Sequence, residues 1–334
     1  MRFKNILFAA AAAMALTACS SDDEQSFVSQ FPEDGVMRFT TNLVDPTIAT
    51  TRASITGNDV NQSGQQFQVK IVNPTSATYS YFNTVQYASD EWMPYNRMLW
   101  QNDQQAITVT AAYKQGKTFS DYDFIVGANL TVAADQSTEA KLKQQDLLTM
   151  PTKTIANPSQ EQTLMQNGKL VINFYHALTK LDVTLELKDE FYPANIQASD
   201  ITEFTIKGTN AGYQFKAMET ANENYGTVTV TASTAADILA NQYNFTAGTA
   251  ESKHSTAKYE SIIVPQTIAA GQLTVSFKIG NRSYSWTNTQ AYTLEQGKQY
   301  TLPLTVGDDG VTAGSRAFTV TSWEDQPGDN LGTE

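Results

Sequence analysis

Cysteine is almost missing from this chain: of 334 residues, only Cys19 carries a thiol. An internal disulfide is therefore excluded, and the fold must be held by its own apolar core. Histidine is nearly as scarce, with only His176 and His254. They stand in no H-E-x-x-H type spacing, so no zinc site is expected and no metal or cofactor is called for. A G-x-S-x-G elbow and a Gly-rich phosphate loop are also lacking. Positive charge is in short supply: 22 Lys and Arg against 34 Asp and Glu give a net charge of −12. Such a surface repels phosphate backbones and anionic headgroups, which argues against nucleic acid as a partner. No apolar run approaches the roughly 20 residues that span a bilayer.

What is present begins at the N-terminus. Arg2 and Lys4 precede an apolar stretch from Ile6 to Ala15, followed by Leu16-Thr17-Ala18-Cys19. A basic start, a short apolar core and small residues before a cut are the marks of an export signal. The Leu-x-Ala-Cys ending resembles a bacterial lipoprotein signal. That resemblance implies a signal peptide over residues 1–18, acyl chains on Cys19, and a protein held to the outer membrane by lipid. Loss of the leader with Arg2 and Lys4 takes the net charge to −14. Ser20-Ser21-Asp22-Asp23-Glu24 comes next, and residues 19–35 read as an acidic linker. A Ser/acid run at this place also resembles a surface-export signal of lipoproteins in one lineage of Gram-negative anaerobes.

The rest of the chain reads as strands. Leu273, Val275, Phe277 and Ile279 alternate with polar residues, as do Leu181, Val183, Leu185 and Leu187. Shorter runs of the same kind are 67–72, 107–113, 122–126, 201–207, 227–231 and 300–306. Period two means one buried and one wet face, the pattern of antiparallel sheets packed face to face. Helical signal is thin, confined to 137–148 and 235–242. The expected class is all-β, with two tandem β-sandwich domains. The polar stretch from Pro151 to Gln166 suggests a division into 36–165 and 166–334.

Three stretches together resemble the fimbrillin family, the subunits of type V pili on anaerobic Gram-negative bacteria. The first is Met98-Leu99-Trp100-Gln101-Asn102-Asp103 with the strand from Ala106 to Tyr113. The second is Asp146-Leu147-Leu148 followed by Leu170 to Leu181, which contains Phe174-Tyr175-His176-Ala177-Leu178-Thr179-Lys180-Leu181. The third is Leu294 to Tyr300 with the ending Val320-Thr321-Ser322-Trp323. The resemblance implies transthyretin-like topology in both sandwiches. It also implies a lipoprotein precursor cut after an arginine by a trypsin-like protease. The cut frees the first strand and the lipid, and a strand from another fimbrial subunit fills the groove.

Candidates for each part are present. Val36 to Leu43 is a candidate first strand, with Met37, Phe39, Thr41 and Leu43 on one face. Burying Met37, Phe39 and Leu43 stabilises by roughly 5–9 kcal/mol, against about 5–15 for a whole domain. Arg52, followed by Ala53, is the candidate processing site, flanked by small residues. On local sequence alone it is equally a linker arginine. Near the C-terminus, Phe318 and Val320 alternate with Thr319, Thr321 and Trp323. This segment is either a donor strand or the last strand of its own domain.

Other chemistry is weakly marked. The pairs Asp90-Glu91, Asp189-Glu190, Asp308-Asp309 and Glu324-Asp325 read as solvated turns rather than paired catalytic acids, and no enzyme is expected. His176 reads as a hydrogen-bonded residue at a sheet end. Tyr79-Ser80-Tyr81-Phe82 and Trp92-Met93-Pro94-Tyr95 are candidate sugar-stacking platforms or, equally, core and edge packing. The expected function is thus a structural subunit of a cell-surface fimbria, placed at the surface and then in the fimbrium. A surface glycan-binding lipoprotein and a tip or anchor adhesin are the alternatives.

Overall fold

The computed structural model describes residues 29–44, 55–218, 226–231, 235–313 and 318–323. Strands dominate it, and the protein is all-β with several sheets. Its first part carries β1 (Phe39–Leu43), β2 (Gln66–Val72), β3 (Tyr81–Ala88), β4 (Glu91–Pro94), β5 (Ile107–Lys114), β6 (Ala128–Thr131), β7 (Leu147–Ile155), β8 (Met165–Gln166) and β9 (Lys169–His176). All but β6 form one sheet in the order β1-β4-β3-β2-β5-β7-β9-β8. A further pairing of β1 with β9 closes this sheet on itself. Inside lies one core, built from Phe67, Val69 and Ile71 of β2, Val109 and Ala111 of β5, and Leu170, Ile172 and Phe174 of β9.

Two tight turns set registers here. Ser89 and Asp90 both take positive φ (52° and 62°) between β3 and β4, and Asn167-Gly168 does the same between β8 and β9 (49° and 75°). Consecutive left-handed residues match the twist of a two-residue hairpin. The first turn places Trp92 opposite Tyr87, so that the indole points into the core.

The second part holds β10 (Thr179–Leu187), β11 (Ile201–Asn210), β12 (Gly212–Lys216), β13 (Thr227–Val230), β14 (Ala235–Leu239), β15 (Asn241–Thr246), β16 (Ser255–Ile263), β17 (Gln266–Ile268), β18 (Thr274–Ile279), β19 (Arg282–Thr287), β20 (Tyr292–Leu294), β21 (Lys298–Gly307), β22 (Gly310–Ala313) and β23 (Thr319–Ser322). One sheet runs β15-β16-β10-β21-β22 with β23 also on β21, and another runs β14-β11-β18-β19. Their inner faces share a core that includes Leu181, Val183, Leu185, Ile206, Val275, Phe277, Leu302 and Leu304. The chain passes from the first closed sheet to this second system at Ala177-Leu178. Between the two, β6 joins β12 and β13 in a three-stranded sheet.

Three local expectations fail, each for a physical reason. The run 122–126 is not a strand but lies in a short helix, α2 (Asp121–Ile125), after α1 (Gly57–Val60). Ser120 caps α2 in a reciprocal capping box with Asp123, which fixes a helix start regardless of the alternation that follows. Residues 235–239 form β14 rather than a helix, because pairing with β11 outweighs weak local propensity. The helix expected over 137–148 shrinks to α3 (Glu139–Lys143), and Leu147 already opens β7. The polar stretch from Pro151, where the sequence suggests the division between domains, begins inside β7, which runs to Ile155. Residues 147–151 are buried on both faces, which erases period-two alternation.

Candidate functional site

The first strand is the element to build from. β1 runs antiparallel to β4 through the single register pair Phe39↔Trp92, and parallel to β9 through five pairs from Phe39↔Leu170 to Leu43↔Phe174. Met37 and Phe39 are each only 1% exposed. The Phe39 ring stands edge-on to Phe67 at 6.1 Å, and Phe67 in turn meets Trp92 at 4.8 Å and Phe174 at 5.5 Å. Leu43 is half-buried, packed against the same core. Backbone hydrogen bonds continue the ladder beyond the strand: Met37 N–H to the Met98 carbonyl, Leu170 N–H to the Arg38 carbonyl and Val44 N–H to the Phe174 carbonyl. Side chains add Trp92 Nε1–H donating to Thr41 Oγ1 at 3.1 Å.

The central part of β9 depends on β1. β8 pairs only with Lys169 and Leu170, and β7 only with Tyr175 and His176. From Val171 to Phe174 the ladder partner among the described residues is β1, apart from one hydrogen bond from the Val171 N–H to the Leu164 carbonyl. Taking β1 away opens a slot between β4 and β9 and uncovers Phe67, Trp92 and Phe174. Burial of Met37 and Phe39 alone stabilises by about 3–6 kcal/mol. Beside the strand lies a groove of about 320 Å³, lined by residues that include Arg38, Trp92, Met93, Arg97 and Lys169. At its rim Arg38 holds the Asp34 carboxyl well below the usual carboxylate range.

Cys19, Arg52 and Ala53 lie outside the described residues. The chain leaves β1 at Val44 and is described again from Ile55, which is itself buried.

The tail strand is seated on its own sheet. β23 pairs antiparallel with β21, from Lys298↔Ser322 to Thr301↔Thr319. Phe318 packs edge-on against Tyr292 at 4.5 Å, with Trp286 and Tyr300 near 6 Å. Val320 is 51% exposed and points away from the core. Trp323 is buried and lies parallel to the His176 ring, 4.0 Å between centroids. His176 ends β9, fully buried, with Nδ1 2.9 Å and 3.1 Å from the two oxygens of Asp146. Around Asp146, burial pushes the Lys114 ammonium down to about 8, and burial together with the Asp146 charge raises the phenols of Tyr113 and Tyr213.

The geometry explains the run from Phe174 to Leu181. Phe174 fills the first core, His176 carries Trp323, Lys180 forms a buried ion pair with Glu260 at 2.6 Å, and Leu181 fills the second core. Sequence reasoning weighed His176 alone and missed Asp146 and Trp323 as its partners. The candidate aromatic platforms are mostly packing: Trp92 is in the core, Phe82 meets Phe124 at 5.2 Å, and the Tyr81 hydroxyl donates to the Leu99 carbonyl. Met93 and Tyr95 remain exposed. Asp308-Asp309 is the turn between β21 and β22. Among the described residues no cluster of three His, Cys, Asp or Glu could hold a metal, and no helix is long and apolar enough to cross a membrane.

These features define the class of protein: an all-β fold of several sheets in which β1 closes the first sheet by pairing with both β4 and β9. A family model described as fimbrillin-like matches residues 51–323, and the chain belongs to that family. No curated protein matches it. Among solved structures, it is similar to a putative cell adhesion protein from Bacteroides uniformis (17% identity, 87% of this chain and 99% of that one, TM-score 0.55). Another from Bacteroides ovatus is similar at 14% identity over 86% and 97%, with a TM-score of 0.58. The fimbrial anchor protein Mfa2 from Porphyromonas gingivalis aligns at 10% identity over 86% and 98%, with a TM-score of 0.36.

Proposed function

We propose that this protein is a structural subunit of a cell-surface fimbria. It is exported as a lipoprotein with acyl chains on Cys19 and reaches the outer face of the outer membrane. A trypsin-like protease cuts between Arg52 and Ala53, β1 leaves with the lipid, and a strand from another fimbrial subunit takes its place. The observation that carries this reading is the position of β1. It bridges β4 and β9, fills the core with Met37 and Phe39, and precedes Arg52 by a short connection. A sheet that loses such a strand has two open edges and an apolar slot, the condition for strand addition. We read the two cores as tandem β-sandwich domains of transthyretin-like topology, with β9 counted in the first and the division after His176 rather than at 165/166. The tail, with Phe318, Val320 and Trp323, is the donor candidate.

Brief trypsin treatment of the purified precursor tests the processing step. The expected result is one early cut giving Ala53 as the new N-terminus, followed by oligomers that resist SDS without heating. Protection of Arg52 with a monomer throughout would sink the reading. The seated tail favours a second reading, a tip or anchor subunit whose β23 never leaves β21. Exposed Met93 and Tyr95 are what favour a glycan-binding lipoprotein. Binding of the uncut monomer to a glycan array, lost in Tyr95→Ala, would support it.

A further inference from the structure

With Cys19 as its only thiol, the chain cannot staple itself through sulfur. The larger sheet of its second part gathers the groups for a different covalent tie. Three of its strands lie side by side in the order β15-β16-β10. On the middle one, Glu260 stands opposite Asn241 of β15 and opposite Asp182 of β10. Lys180 of β10 stands opposite Ile262, two residues along. Partners across a ladder share a face, and a diagonal neighbour is within reach of a long side chain. Lys180, Glu260 and Asn241 therefore converge from three strands on one face of the sheet. All three are buried, none more than 6% exposed. Lys180 Nζ has crossed from its own strand to the Glu260 carboxylate over β16, at 2.6 Å. From the opposite side, Asn241 Nδ2–H donates to the other oxygen of that carboxylate at 3.3 Å. Asp182, buried beside Glu260, accepts from the Tyr243 hydroxyl at 2.8 Å.

We propose that Lys180 and Asn241 are the two ends of an amide cross-link, and that Glu260 moves the protons that form it. A lysine amine becomes a nucleophile once it is desolvated and neutral. The ammonium proton passes to Glu260 across their contact, which replaces two buried charges by two neutral groups. The lone pair on Nζ then forms a bond to Asn241 Cγ, while the protonated carboxyl donates to the oxyanion developing on Oδ1. As the Cγ–Nδ2 bond breaks, one further proton moves from Nζ to Nδ2 by way of Glu260, and Nδ2 leaves as ammonia. A secondary amide remains. Nothing is oxidised or reduced, and no co-reactant enters. Until the bond forms, the site is the buried ion pair of Lys180 with Glu260. Holding amine and carboxamide on one carboxylate makes the step intramolecular, which removes the entropy cost that the same reaction has in solution. The product straps β10 to β15 across β16 and ties the sheet without sulfur. It forms whether or not β1 is later removed, so it stands apart from the processing reading.

Mass spectrometry of tryptic digests tests the cross-link, on the full chain held folded for several days and then denatured. The expected species is one branched peptide that joins the segment carrying Lys180 to the segment carrying Asn241. Its mass falls below that of the two separate segments by one ammonia, about 17 Da, and trypsin no longer cuts after Lys180. Glu260→Gln and Asn241→Ala are each expected to abolish the branched species. The native chain decides the matter even where a variant fails to fold. Two unlinked segments, with cutting after Lys180, overturn the proposal. A loss of ammonia confined to one segment, as from an asparagine that cyclises on its own backbone, also overturns it. So does a branched species that persists in Glu260→Gln, since the proton route would then lie elsewhere.

Discussion

Phe39 stands opposite Leu170 in a parallel ladder while the neighbouring strand offers it Trp92 on the other side. One residue thus closes the first sheet. Truncating it removes an aromatic ring from a core that cannot collapse easily around Phe67 and Phe174. Phe39→Ala is expected to cost about 3–5 kcal/mol of stability. Val320→Ala, at an exposed edge position, is expected to change it by no more than about 0.5. Urea unfolding followed by tryptophan fluorescence distinguishes the two, and equal midpoints would show that β1 is not part of the cooperative core.

The period-two strands were legible wherever one face is wet. Leu273, Val275, Phe277 and Ile279 mark β18 without ambiguity, and all four are buried as expected. β7 was hidden because it is covered on both sides, so its buried Thr149 and Pro151 look like loop residues. α2 was misread because Tyr122, Phe124 and Val126 alternate by chance while Ser120 and Asp123 set the helix. At the candidate site, Met37 and Phe39 could be named from alternation. Their neighbours could not, because a parallel pairing of residue 39 with residue 170 leaves no local trace. The same holds for the stack of Trp323 on His176, and for Asp146, whose role depends on where two distant strands end.

His254 gives a pH-dependent prediction. Its imidazole lies on the surface between Glu186 at 2.6 Å and Asp189 at 2.7 Å. The hydrogen bond that the ring donates to Glu186, aided by both negative charges, raises its pKa above the ordinary 6.5. A raised folded-state pKa favours the folded form while the ring is protonated in it. The contribution is therefore complete below pH 6.5 and disappears as pH rises through the folded value. His254→Ala should lower Tm slightly at pH 5.5, and the two proteins should converge at pH 8.5. A Tm difference that grows with pH would contradict the assignment.

The turn at Ser89-Asp90 stores a local cost, since neither residue is glycine and both take positive φ. Replacing the pair by Asn-Gly supplies the residues that such a turn favours. The double substitution is expected to stabilise by about 0.5–1 kcal/mol, read as a rise in Tm. A fall would mean that Ser89 or Asp90 makes a contact the loop depends on.

Lys180 and Glu260 form an ion pair with both side chains at most 1% exposed. Asn241 donates to the same carboxylate, so the pair is embedded in polar contacts near the Thr179 end of the β10–β16 ladder. Removing two charges from water is expensive, and their attraction only roughly offsets that cost. Removing one partner leaves the other charge buried without its mate. Lys180→Met or Glu260→Leu alone is therefore expected to destabilise by about 3–5 kcal/mol. The double variant, with an apolar pair of similar volume, is expected to recover most of that loss, because no uncompensated charge remains. A double-mutant cycle in urea reads the difference directly. If the two single losses simply add, the pair has no special coupling, and the buried lysine is held by its other contacts instead.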